Sequence, residues 1–257
     1  MITLLSPAKT LDYKSPLPVK DFSIPGNLIK SKELIKELRK KDPQDLSDLM
    51  GLSEKLSNLN FERNMNWESP VKPSDEIRQA IFAFKGDVYT GLSAYSLKKS
   101  DINFLDNHVR ILSGLYGVLK PLDLMSPYRL EMGTKLKTPK GKDLYEFWGQ
   151  EITNSINESI STHKNKFILN LASVEYFSSI KKDLLTGEVI SPIFKDFKNG
   201  KYKIISFFAK KARGSMTRYL VENRIDSPKD ITSFDYDGYK YSKSESTEYT
   251  PVFLRKA

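Results

Sequence analysis

The chain has 257 residues, of which 39% are hydrophobic and 11% aromatic, enough for a packed core of ordinary size and too apolar for a disordered chain. It contains no cysteine, which excludes disulfides, thiolate nucleophiles, iron–sulfur ligation and cysteine-based zinc sites, and its two histidines, His108 and His163, would need carboxylates to complete a metal site, so none is expected and no cofactor is implied. The formal charge is +9, divided as +2 over residues 1–128 and +7 over residues 129–257; Lys195 to Arg224 alone holds nine cations against Asp196 and Glu222. That excess directs the expectation of a partner to polyanions.

Met1 to Leu5 reads as a buried strand closed by Ser6-Pro7, with Lys9 and Thr10 in the loop beyond it. No apolar run is long enough to cross a bilayer and the start lacks a signal-peptide pattern, so a cytoplasmic protein is expected. Pro7, Pro16, Pro18 and Pro25 make the next stretch an extended arm. Asn27 then caps a helix with Leu28, Leu34, Ile35 and Leu38 inward, and Pro43 and Ser53 mark the starts of two more. Ser74-Asp-Glu is read as opening a helix that carries Ile77, Ile81 and Phe84 inward and ends at Lys85-Gly86-Asp87, with a short helix ending around Asn103 to Asp106.

Val109 to Leu112 reads as a short strand or a helix end running into Ser113-Gly-Leu-Tyr-Gly117, where two glycines demand a special backbone. The segment Leu112 to Met125 invites comparison with a helix-hairpin-helix, whose glycine turn aims amides at a phosphate, although Gly114 and Gly117 enclose two residues instead of one; a tight structural turn is the other reading. Lys120 would be the first cation such a phosphate met. A long helix is expected from Lys142 to Thr162, then a buried strand at Phe167 to Leu171.

Val189 to Phe207 folded about Asn199-Gly200 is the clearest hairpin signal, feeding a helix from Ala209 to Arg224. On that helix Phe208, Ala212, Met216 and Tyr219 share one face while Lys211, Ser215 and Arg218 lie on another. Gly214 costs roughly 1 kcal/mol there relative to alanine, which close approach of a neighbouring backbone or a ligand would explain, as would packing alone. Two short strands near Tyr239 and Tyr249 close the sheet.

Three polar islands follow strand ends or turns: Ser6/Lys9/Thr10, Arg129/Glu131, and Asn170/Ser173/Glu175/Tyr176. In mixed sheets such positions line sites, so convergence on one cleft is one expectation and a buried Arg129–Glu131 pair holding a loop is the other. No Ser-His-Asp set or phosphate-binding glycine loop is present.

The blocks Ser6-Pro-Ala-Lys-Thr-Leu-Asp12, Phe84 to Gly91, Leu112 to Gly133, Lys142 to Gly149, Asn170 to Ser173 and Phe208 to Gly214, in this order, resemble the YaaA family of peroxide-stress-response proteins over essentially the whole chain. The resemblance implies one α+β domain, 1–257, of unusual topology: a mixed sheet with flanking helices and a basic cleft with a helix-hairpin-helix-like element. It implies a role in the peroxide stress response that limits damage linked to free iron, and binding of double-stranded or distorted DNA by a monomer through backbone contacts. The matching cations are Lys9, Lys85, Lys120, Arg129, Lys210, Lys211, Arg213 and Arg218. Two rivals stand beside this reading. One is an enzyme for a nucleotide or small phosphorylated substrate, with Lys9, Arg129, Glu131 and Glu175 as candidate catalytic groups; the other is a module for an acidic protein partner.

Overall fold

A computed structural model describes residues 1–256. The first strand, β1 (Ile2–Leu5), is fully buried. It leads to β2 (Thr10–Leu11), a two-residue strand where a loop is expected. The proline-rich arm follows without regular structure, and then come α1 (Leu28–Leu38), α2 (Pro43–Met50) and α3 (Glu54–Asn66). Asp42 and Asp45 form a reciprocal capping box at α2, with Pro43 in the first turn and Gly51 in the left-handed region at its end. Asn27, by contrast, makes no cap bond and donates its Nδ2 to the Tyr116 carbonyl at 3.3 Å.

The helix expected from Ser74 to Phe84 is a correction. The segment is cut into β3 (Arg78–Gln79), the single turn α4 (Ala80–Ala83) and β4 (Phe84–Lys85). Its amides are claimed from outside: Arg78 and Gln79 pair with Met125 and Leu124, Ala80 N donates to the Asp123 carbonyl at 2.8 Å and Ile81 N to the Pro121 carbonyl at 2.9 Å. Tertiary hydrogen bonds here override an apolar spacing that fits a helix. β4 pairs with β2, which is why Thr10 is in a strand.

Next come α5 (Asp87–Leu92), α6 (Lys99–His108), β5 (Val109–Ser113), β6 (Gly117–Leu119) and β7 (Leu124–Met125). No helix flanks the Gly114/Gly117 turn, so the expected helix-hairpin-helix-like element is corrected to a β-hairpin with Ser113 opposite Gly117. Its glycines serve packing. A Cβ on Gly114 would stand 2.2 Å from the Leu130 carbonyl oxygen, and one on Gly117, whose φ is +69°, 2.8 Å from the Trp148 ring. The turn is buried, and the Gly114 carbonyl accepts from Trp148 Nε1 at 3.0 Å, so no phosphate cradle opens there.

The long helix expected from Lys142 is interrupted at Gly149, whose φ of +51° ends one helix before the next begins. The result is α7 (Leu144–Trp148) and α8 (Glu151–Ser161). The remaining elements are β8 (Phe167–Asn170), α9 (Val174–Phe177), β9 (Glu188–Ile190), β10 (Ile193–Lys198), β11 (Lys201–Lys203), α10 (Ser206–Glu222), β12 (Lys240–Tyr241) and β13 (Val252–Arg255). The hairpin turns at Asn199-Gly200 as expected, both residues having positive φ.

Two sheets result. One runs β6-β5-β1-β8-β9, with β5, β1, β8 and β9 parallel and β6 antiparallel at the edge; the other runs β11-β10-β13-β12. The buried side chains of both belong to one hydrophobic core, from Leu4 and Ile168 in the first to Phe194 and Phe253 in the second. The fold is α+β with mixed sheets, as expected. No helix of the described residues is long and apolar enough to cross a membrane.

The helices α5 and α10 pack closely against each other. A Cβ on Gly91 would come within 2.1 Å of the Lys211 carbonyl oxygen, and one on Gly214 within 1.8 Å of the Val88 carbonyl oxygen. Two glycines facing each other's backbone let these helices touch main chain to main chain. Gly214→Ala is therefore expected to destabilise by about 2 kcal/mol or more, the overpacking cost exceeding the gain in helix propensity. Gly26→Ala, where nothing lies within 4 Å of the added methyl, should be close to neutral. Urea unfolding of the two variants checks the pair.

Candidate polyanion-binding cleft

The parallel strands β1 and β8 end side by side, and their following loops form one wall of a cleft. Ser6 joins the loops: its Oγ accepts from Ser173 N at 2.8 Å, and its carbonyl accepts from Tyr89 OH of α5 at 3.0 Å. The Tyr128–Gly133 loop forms a second wall. The β4–α5 junction brings Lys85 and Asp87, and α10 brings Lys210 and Arg213, into a cavity of about 530 Å³.

All three polar islands reach it, apart from Asn170, whose Nδ2 donates to Ser191 Oγ at 3.3 Å. Lys9 Nζ lies 2.9 Å from Glu131 Oε2, and Arg129 Nη2 lies 3.1 Å from Glu131 Oε1, so one carboxylate is shared by two cations. The Arg129–Glu131 pair thus holds a loop and faces the cleft at once. Arg129 Nε is buried without a partner. Glu175 Oε1 accepts from Gly133 N at 2.9 Å, which fixes the loop to the start of α9. Both candidate catalytic carboxylates are thereby engaged in positioning.

The cleft is lined by five cations, Lys9, Lys85, Arg129, Lys210 and Arg213, against three carboxylates, Asp87, Glu131 and Glu175. Burial holds the Arg213 guanidinium below its ordinary range, and no nearby carboxylate raises it again. Neither it nor Lys85 nor Lys210 has an ion-pair partner among the described residues. Tyr89, Tyr128 and Tyr176, which also line the cavity, are pushed well above the usual phenol range, chiefly by burial, and so remain neutral hydroxyls.

The other three cations do not join this group. Lys120 lies at a separate depression beside Asp123 and His108. Lys211 Nζ is 3.3 Å from Asp237, whose other oxygen accepts from Ser215 Oγ. Arg218 donates to the Leu92 and Ser93 carbonyls at 3.2 and 3.1 Å, closing the end of α5, and pairs with Glu222 at 2.7 Å. Helical spacing separates Lys211 and Arg218 from Lys210 and Arg213, but only the packing of α5 shows which face is open. Asp87 and Tyr89 escape sequence reasoning because their segment reads as a helix end.

A second cluster joins His108, His163 and Asp226, whose ligand-type atoms lie within 4.8 Å of one another. Its bonds account for it. His108 Nδ1 donates to the Met1 carbonyl at 3.0 Å, His163 Nε2 donates to the Asn107 carbonyl at 3.2 Å, and the Met1 ammonium meets His163 Nδ1 at 3.3 Å and the Asp226 carboxylate. The cluster ties the start of β1 to the elements around it.

Residues 1–245 match the family model described as "Peroxide stress protein YaaA". The chain belongs to that family.

Burial lowers the pKa of both histidines, His163 to about 4, with the neighbouring ammonium and His108 adding to the shift. The folded protein keeps the rings neutral while the unfolded chain protonates them near the ordinary value of about 6.5. Stability is then full above about pH 6.5 and declines as the pH falls toward 4. The urea midpoint of the native protein is expected to drop over this window, and that of His163→Gln to drop less.

Proposed function

We propose that this protein acts in the peroxide stress response by binding DNA, its cleft holding the phosphate backbone of a duplex or distorted site. The observation that carries the reading is the convergence of Lys85, Lys210 and Arg213 on one cavity with no ion-pair partner for any of them. Desolvated, unpaired guanidinium is costly in a fold, and a phosphate supplies the missing charge with bidentate geometry. Lys9 and Arg129, half neutralised by Glu131, flank that position. Backbone and shape are what such a site reads, since its cations address phosphates and carry no base code. In this reading the protein is a cytoplasmic monomer, and damage linked to free iron is limited indirectly, through the DNA it covers.

A specific observation supports a second reading. A cavity of about 530 Å³ falls in the size range of small-ligand sites, which suits a nucleotide or small phosphorylated compound. Nucleoside phosphates would then raise the melting temperature in proportion to the logarithm of their concentration.

The first reading is tested by Lys85→Glu combined with Lys210→Glu. Duplex affinity should fall at least tenfold, and the slope of log affinity against log salt should flatten by about two contacts' worth, each contributing ~0.9. Lys211→Ala should change little, because that ammonium already rests on Asp237. Fluorescence anisotropy at several salt concentrations reads both. Wild-type affinity and slope in the double variant would reject the cleft as the DNA site, and a nucleotide-dependent thermal shift abolished in the same variant would favour the second reading.

A further inference from the structure

The cleft takes its cations from α10, yet the strands before that helix carry a second cationic surface that the cleft does not use. Alternation along β10 turns Phe194 and Asp196 inward, where both are buried, and turns Lys195 and Phe197 outward. Tyr202 of β11 stands directly opposite Phe197, so the two rings share the outer face; their centroids are 5.2 Å apart at 66°, and each residue remains 37% exposed. The register of β13 sets Leu254 beside Lys195, and that of β12 sets Lys240 opposite Leu254, on the same face. Lys256 closes the group, its Nζ 5.3 Å from the centre of the Phe197 ring.

A cross-strand aromatic pair stabilises a hairpin whether or not anything binds it. What sets this one apart is its surroundings. Lys256 at the Phe197 ring and Lys240 two strands along stand on this face without an ion pair among the described residues, and Lys195 between them is matched by Glu245 at 2.6 Å; Lys198 and Lys201, next to the rings in sequence, alternate to the opposite face and flank the turn. Flat aromatic rings interleaved with unpaired ammonium groups on a sheet complement an unpaired polynucleotide strand, whose bases offer faces to stack and whose phosphates alternate with them. A duplex hides those faces, so the complementarity is to single strands.

We propose that the outer face of the β11-β10-β13-β12 sheet is a base-stacking platform for an unpaired stretch of nucleic acid, centred on Phe197 and Tyr202. It rests on the cleft reading only in taking a polynucleotide as ligand. The protein would then bind sites where duplex and single strand meet, one at the cleft and the other at the sheet.

The experiment uses the full chain with oligothymidylate, oligouridylate and a duplex as probes. Phe197→Ala with Tyr202→Ala should weaken binding of either single strand about tenfold or more and leave duplex affinity within about twofold. Phe197→Trp preserves the aromatic face, and its exposed indole should lose emission on saturation with oligothymidylate. The platform is overturned if the double alanine variant binds single strands as the native protein does, or if the Phe197→Trp emission does not respond. It is also overturned if the face binds anionic vesicles but no oligonucleotide. Loss of single-strand binding in the alanine variant with unchanged duplex binding in the Lys85→Glu/Lys210→Glu variant would remove the cleft and keep the platform, and the reverse pattern would remove the platform alone.

Discussion

The arrangement of the cleft depends on one contact, the backbone-to-backbone approach of α5 and α10 at Gly91 and Gly214. Side chains normally hold packed helices about 8–10 Å apart, and glycine removes that spacer. The consequence reaches the chemistry. Lys85 precedes α5, Lys210 and Arg213 sit on the turn of α10 adjoining Gly214, and only a close crossing puts them on one cavity with the loops after β1 and β8. Arg218 secures the same crossing from its far end by bonding the last carbonyls of α5. The glycine that looks costly inside a helix is thus the residue that assembles the cation cluster.

Nine cations in the Lys195–Arg224 segment do not form one surface. Lys195 meets Glu245, Lys211 meets Asp237, Arg218 meets Glu222 and Arg224 meets Asp101. These pairs take four of the nine out of account as a field for a polyanion, and they do so with carboxylates that lie up to 123 residues away in the chain. The cations left without partners separate into the group at the cleft, Lys210 and Arg213, and the group on the hairpin, Lys198, Lys201 and Lys203. Net charge gives only the sign of the surface; where that charge is exposed is decided by which cations remain unmatched.

The elements legible in the sequence are those whose pattern is satisfied locally. β1, β8, the Asn199-Gly200 hairpin, α1 and α10 follow from apolar runs, turn residues and helical spacing, and all are present. The helix break at Gly149 is local, whereas the failures at residues 78–85 and at the Gly114/Gly117 turn share one cause. Residues 78–85 carry an apolar spacing that suits a helix, yet their amides bond the carbonyls of Pro121, Asp123 and the β7 strand, partners some 40 residues distant. The Gly114/Gly117 turn resembles a phosphate-binding loop only while Trp148 and Leu130 are out of sight; once packed, they fill the space a phosphate would need. For the site, the three polar islands and five of the eight candidate cations do meet, because each island follows a strand end or turn on the same side of the sheet. Helical spacing sets Lys211 and Arg218 apart from Lys210 and Arg213, but which of the two pairs faces the cleft is decided by where α5 lies.

The carboxylates of the cleft carry a last distinction. A general acid or base must reach a substrate with its proton or lone pair free. Glu131 instead spans Lys9 and Arg129, and Glu175 accepts the Gly133 amide while its own carbonyl accepts Tyr145 OH. Each therefore sets the position of a loop or a cation. What also lines the cavity is positive charge without an ion-pair partner, Lys85, Lys210 and Arg213, the carboxylate of Asp87, and neutral tyrosines, of which Tyr89 donates its hydroxyl to the Ser6 carbonyl and Tyr128 shares its own with Ser113 Oγ. A surface so composed has the charge to hold a phosphate.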